Sequence, residues 1–231
     1  AARNTALDAC TGHYLMHVDS DDYLRKDSIS LLLDKIKSST AQVVIFSYSI
    51  ICKNKITAVK LYEEDKVSLI TKYLLNSVPA SMWNKFYDAN FYKGTGIRSI
   101  EGINQGEDYV VVPRIIEKAD KIAWLDQCLY FYEQSNVKSY SNNISEMSIK
   151  NMKSADDILF DYFSKCRYFN KNCLDVLYVR SALFLLKSSD YHCWNNIYNE
   201  YKIYLNSYNH LKISDKILLL NTTLKILKHS D

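Results

Sequence analysis

The chain has 231 residues, 48% of them hydrophobic and 24% charged, with a formal net charge of +3. That balance describes a globular protein, not a disordered one, and its basic residues form no stripe of the kind nucleic-acid binders carry, so no DNA or RNA partner is expected. The six cysteines contain no Cys-x-x-Cys pair and suit neither zinc nor a disulfide framework, so free thiols in a reducing cytoplasm are expected; no apolar run reaches the roughly 20 residues that span a bilayer.

Residues 1–10 read as a helix that Gly12 is placed to stop. A short apolar strand over 14–18 then runs into Asp19, Asp21 and Asp22, with only Ser20 among them. Three like charges so close repel one another, and burial sharpens the repulsion. One reading is a hard divalent cation held at the carboxyl end of a strand, where open α/β sheets place their ligands. The other is a solvated loop in which Asp22 or Asp27 caps the next helix.

That helix presents Ile29, Leu32, Leu33 and Ile36 on one face. Residues 42–50 are β-branched and nearly continuous, as a buried strand requires, and a turn at 53–55 leads into an antiparallel partner over 56–59. Asp65 precedes a helical pattern carrying Val67, Ile70, Leu74 and Leu75. Four of the five glycines fall within 94–106, which reads as a loop. A helix from Asp108 to about Ala119 follows, then a short strand over 121–125. Beyond Ser141 strand patterns vanish, and helices are expected over 145–166, 173–189, 191–208 and 213–228. The last is apolar on one side and basic on the other. It suits packing against its neighbours, and it also suits peripheral contact with an anionic membrane.

Several segments together carry a resemblance. Ala-Arg-Asn-x-x-Leu-x-x-x-x-Gly-x-Tyr over residues 2–14, followed by Asp-Ser-Asp-Asp-Tyr-Leu over 19–24, resembles the inverting glycosyltransferases of family 2, which have the GT-A fold. Ser81-Met82-Trp83-Asn84-Lys85-Phe86-Tyr87 is similar to that family's Trp-Asn-Lys segment, and Gly106-Glu107-Asp108-Tyr109 to its Glu-Asp motif. Leu129-Tyr130-Phe131-Tyr132, with Ser139, is a looser match to the tyrosine-rich strand that closes the domain.

The resemblance implies an α/β fold: a partial GT-A mixed sheet with helices over residues 1–140, followed by an all-helical region over 141–231. It also implies that a first strand, helix and second strand precede Ala1, so the chain is expected to be the remainder of a longer enzyme or a truncated gene product, inactive by itself. The implied donor is a nucleotide-diphosphate sugar such as a UDP-sugar, and the implied acceptor a saccharide or lipid-linked glycan in bacterial surface polysaccharide synthesis. Asp19 and Asp21 would hold Mn²⁺ or Mg²⁺ against the diphosphate, with Arg3 and Asn4 beside the nucleotide. Asp108 would be the general base. Asp22, Trp83, Asn84, Lys85 and Glu107 would line the acceptor side.

From residue types alone, alternatives stay open: an acidic first helical turn for Glu107 and Asp108, a structural role for Trp83, a solvated charge for Arg3, and a satisfied core histidine for His17. A different class also stays open, a non-catalytic helical interaction protein that keeps the acidic loop but binds no donor. A metal-dependent phosphohydrolase fits less well, because neither an Asp-x-Asp-x-Thr nucleophile motif nor a metal-binding histidine stands out in the sequence.

Overall fold

A computed structural model describes residues 2–53, 55–134, 144–169, 171–189 and 191–207. The chain divides into two compact units: residues 1–73, 78–101 and 108–137 form the first, and residues 74–77, 102–107 and 138–231 the second.

The first unit is mixed α/β. Its elements in chain order are α1 (Ala2–Ala9), β1 (Tyr14–Met16), β2 (Tyr23–Leu24), α2 (Ser28–Ser39), β3 (Val43–Cys52), β4 (Lys55–Val59), α3 (Lys66–Leu74), β5 (Lys85–Asp88), α4 (Ala89–Gly94), α5 (Glu107–Lys118) and β6 (Ile122–Glu133). The six strands make one sheet ordered β1-β5-β3-β6-β2, with β4 also on β3. β3 is the organising strand. Its first seven residues are all buried, as the unbroken apolar run requires. β6 runs parallel along one side of it. On the other side β5 pairs antiparallel with Val43, Val44 and Ile45, and β4 with Tyr48 to Cys52. β1 pairs with β5 and ends the order.

On one face of the sheet, Leu32 and Ile36 of α2 pack against Val44, Phe46, Phe86, Ala123, Leu129 and Tyr130. Trp83 is buried in that core. It stacks on Tyr130 at 4.5 Å and on Tyr132 at 5.3 Å, and meets Tyr48 edge-on at 4.7 Å.

Local departures from the sequence reading have physical causes. The expected strand over 121–125 and the tyrosine-rich segment over 129–132 are one strand, β6, because a bulge opposite Phe46 and Tyr48 absorbs Asp126, Gln127 and Cys128 without ending the ladder. The glycine-rich stretch begins inside a helix, since Asp88 caps α4 by accepting from the Phe91 N–H at 2.7 Å. Asp27 stands at the N-cap position of α2 but makes no capping bond. Its carboxylate accepts instead from Arg25 at 2.5 and 3.1 Å.

The second unit contains α6 (Glu146–Phe163), α7 (Lys171–Ser188) and α8 (Tyr191–Ser207). A capping box between Ser145 and Ser148 starts α6, satisfying end groups the helix itself leaves open. Asp156 of α6 is fully buried and accepts from the Ser181 hydroxyl at 2.7 Å and the Tyr201 hydroxyl at 3.1 Å. Burial drives its carboxyl well above the usual carboxylate range. Gly106 has a φ of +82°, and a Cβ there would meet Met152 Sδ at 3.3 Å, so two constraints reserve that position for glycine. Among the described residues no helix is long and apolar enough to cross a membrane. The expected helix over 213–228, with its membrane-facing reading, and Ser139 lie outside the described residues.

Candidate functional site

The acidic loop is built from β6 as much as from its own residues. The Tyr130 hydroxyl accepts from the Asp19 N–H at 3.0 Å and donates to Asp22 Oδ2 at 2.7 Å. The Glu133 N–H donates to Asp22 Oδ1 at 2.8 Å, and the Asp22 N–H closes a turn onto the Asp19 carbonyl at 3.2 Å. Asp22 therefore anchors the loop to the sheet and does not cap α2. This leaves Asp21 exposed and the Asp19 carboxylate 38% exposed. Burial is the largest influence on Asp19 and raises its carboxyl above the usual range; Arg3 opposes the rise, while Asp108, Asp22 and Asp21 add to it. Burial likewise raises Asp22, against the hydrogen bonds from Glu133 and Tyr130.

Arg3 of α1 joins this loop to Asp108. Its guanidinium bonds Asp108 Oδ1, and its second nitrogen lies 3.7 Å from Asp19 Oδ1. The other oxygen of Asp108 accepts from the Met82 N–H at 3.0 Å. Residues from three distant stretches of sequence thus meet around one cation, and Asp108, at the start of α5, also gains from the helix dipole there.

Asn4, the neighbour of Arg3, makes a two-way amide pair with Ser99, donating to its carbonyl at 2.9 Å and accepting from its N–H at 3.0 Å. That pair and the Arg98–Asp8 contact tie α1 to the segment after α4. Asn84 and Lys85 are buried: Asn84 Oδ1 accepts from the Ser81 hydroxyl at 3.1 Å and from Lys85 Nζ at 2.7 Å. Glu107, the first residue of α5, is half-buried. His17 Nε2 is buried without a hydrogen-bond partner among the described residues, and burial lowers the imidazole pKa to about 4. The ring packs against Tyr87 and Tyr92 at 6.4 and 6.2 Å, so it is a core histidine held neutral, not a hydrogen-bonded one.

Among the described residues no group of three His, Cys, Asp or Glu side chains gathers closely enough to hold an ion. An all-protein cage is therefore not what Asp19 and Asp21 fit. A hard cation that takes only one or two carboxylates completes its shell with phosphate and water. Sequence reasoning did not find the loop-anchoring role of Tyr130 or the part played by Met82. Tyr130 lay in a segment read only as a closing strand, and a backbone N–H leaves no residue-type signature.

Residues 1–94 match the family described as Glycosyl transferase family 2. The glycosyltransferase GlyA of Streptococcus pneumoniae serotype 4 is 28% identical over 145 residues, which make up 57% of this chain and 20% of GlyA. Crystal structures of S. aureus TarS share the fold. TarS 1–349 has a TM-score of 0.58 at 15% identity, covering 98% of this chain and 58% of that one. Its complex with UDP-GlcNAc gives 0.56 at 16% identity, covering 95% and 58%. The family match and the curated relative support a glycosyltransferase of family 2, and the mixed sheet with its helices is similar to GT-A glycosyltransferase structures. The chain spans a fifth of GlyA and little more than half of TarS 1–349.

Proposed function

We propose that the protein to which these residues belong transfers a sugar, with inversion, from a nucleotide-diphosphate donor of the UDP-sugar kind to a saccharide or lipid-linked acceptor in surface polysaccharide synthesis. The observation that carries the reading is the Arg3 bridge between Asp19 and Asp108. It joins the acidic loop, suited to the donor's diphosphate, to a carboxylate suited to an acceptor hydroxyl. The UDP-GlcNAc complex of TarS, a protein similar in fold, supports a nucleotide-sugar donor.

Asp108 acts as general base, taking the proton of the attacking hydroxyl at Oδ1 or Oδ2. Met82 and Arg3 hold its two oxygens. Asp19 and Asp21 would hold Mn²⁺ or Mg²⁺, which would supply Lewis-acid neutralisation of the charge on the departing diphosphate. Arg3 is shared between Asp19 and Asp108, so an arriving diphosphate competes with Asp108 for the guanidinium and leaves the base freer to accept a proton. Attack opposite the leaving group inverts the anomeric centre.

The test is Asp108→Asn in the full-length protein. It keeps the shape but takes no proton, so turnover falls by about 10²- to 10⁴-fold while calorimetric UDP-GlcNAc binding persists. Turnover near the wild-type level overturns the reading. In the same calorimeter Mn²⁺ should bind more tightly with UDP present, and Asp21→Ala should abolish that gain.

A further inference from the structure

We propose that Lys85 is a positioning residue for Asp108, acting through the single peptide group that joins Ser81 to Met82. Lys85 Nζ is fully buried and donates to the Ser81 carbonyl at 2.5 Å and to Asn84 Oδ1 at 2.7 Å. The N–H on the other side of that amide, Met82 N–H, donates to Asp108 Oδ2 at 3.0 Å. Carbonyl and N–H belong to one resonant, planar unit. A donor on its oxygen drains density from its nitrogen and makes the N–H a better donor in turn, and hydrogen-bonded chains strengthen each other in this way where water is excluded.

A lysine in this place is otherwise hard to explain. Burying an amine without a counter-charge is costly, and the two acceptors that Lys85 Nζ bonds, the Ser81 carbonyl and Asn84 Oδ1, are both neutral. The face of Tyr73 lies 5.3 Å from Nζ. Burial lowers its pKa to about 7, opposed by Asp108, so the side chain meets that cost and still spends its donors on the 81–84 turn. The turn carries one group toward the candidate site, the Met82 N–H. Lys85 therefore fixes where Asp108 Oδ2 sits and how strongly it is held, without touching a substrate.

This rests on the reading of Asp108 as the base, and the experiment separates the two. The chain has four methionines, so ¹⁵N-methionine labelling gives few backbone amide signals, and Met82→Leu identifies the one at Met82. In Lys85→Met that amide proton moves upfield although neither Met82 nor Asp108 has changed, and Lys85→Gln, which keeps an N–H donor, restores part of the shift. In UDP-GlcNAc hydrolysis by the full-length protein, Lys85→Met lowers kcat about tenfold with KM unchanged, and the loss disappears in an Asp108→Asn background because the two residues act as one unit. A folded Lys85→Met variant with an unmoved Met82 resonance overturns the relay. So does loss of fold in both Lys85 variants, which assigns the residue to stability alone. If Asp108→Asn turns over normally, the base reading fails, while the resonance still decides the relay.

Discussion

Among the described residues each unit completely buries one lysine or aspartate side chain, Lys85 in the first and Asp156 in the second, and they handle it in opposite ways. In the α/β unit Lys85 donates hydrogen bonds to a backbone carbonyl and an amide oxygen, and burial pulls its pKa down to about 7. In the helical unit Asp156 receives two hydroxyls and burial pushes it up. The first lies one peptide group from a candidate catalytic carboxylate; the second joins three helices. Under the proposed relay the buried amine serves chemistry in one unit, while the buried carboxyl ties α6 to α7 and α8 in the other. It also gives the units opposite responses to pH.

The largest expected effect comes from the core that supports the loop. Trp83→Ala removes a ring stacked between tyrosines and should cost about 4 kcal/mol, read by urea denaturation. The loss should appear in hydrogen exchange of the α/β unit, with α6 to α8 unaffected; equal loss in both units would show that the comparison divides the molecule wrongly. Asp156→Ala is the counterpart. It strips two buried hydroxyls of their acceptor and should cost about 2 kcal/mol, with protection lost first in α6 to α8.

The pH responses follow from linkage. Between the folded value of about 7 and the ordinary 10.5, the unfolded chain binds more protons at Lys85 than the folded chain, so that contribution to the stability of the α/β unit rises with pH across this window. Tyr73 and Tyr87, both raised by burial, reverse the trend above about 10. Asp156 has the other sign. Its stabilising effect is complete below the ordinary value of 3.8 and is lost as pH rises through its raised folded value. Protection factors measured from pH 4 to 9 should therefore diverge between the units, and Lys85→Met or Asp156→Asn should flatten the corresponding slope. The smallest effect is Asp27→Ala, which removes an exposed ion pair and no cap, so Tm should stay put.

The α/β pattern was legible where periodicity is strong: α2, β3, the β4 hairpin and α5 all stand where spacing placed them. β6 was read as ending at Leu125 because Asp126 and Gln127 break an apolar pattern that a bulge tolerates. Asp27 misled because residue type gives the capping position but not the rival Arg25 two residues away. The acidic loop was visible as charge density, but its division of labour was not. Asp22 spends both oxygens on Tyr130 and Glu133, partners more than a hundred residues downstream that no local window contains. The Arg3 bridge was hidden for the same reason.

The pairing of β2 with β6, Tyr23 against Phe131 and Leu24 against Tyr130, bears on the order of events during synthesis. β2 and the carboxylates before it emerge early, but the strand that anchors them is made only after another hundred or so residues, about 5–20 s later at ordinary elongation rates. Long-range pairings of this kind form slowly, because chain closure must precede any gain from contact. The β3–β4 hairpin, local in sequence, can form long before. The acidic loop is therefore among the last parts of its unit to take shape, and a nascent chain stalled before Tyr130 would carry the carboxylates of the site without the tyrosine that arranges them.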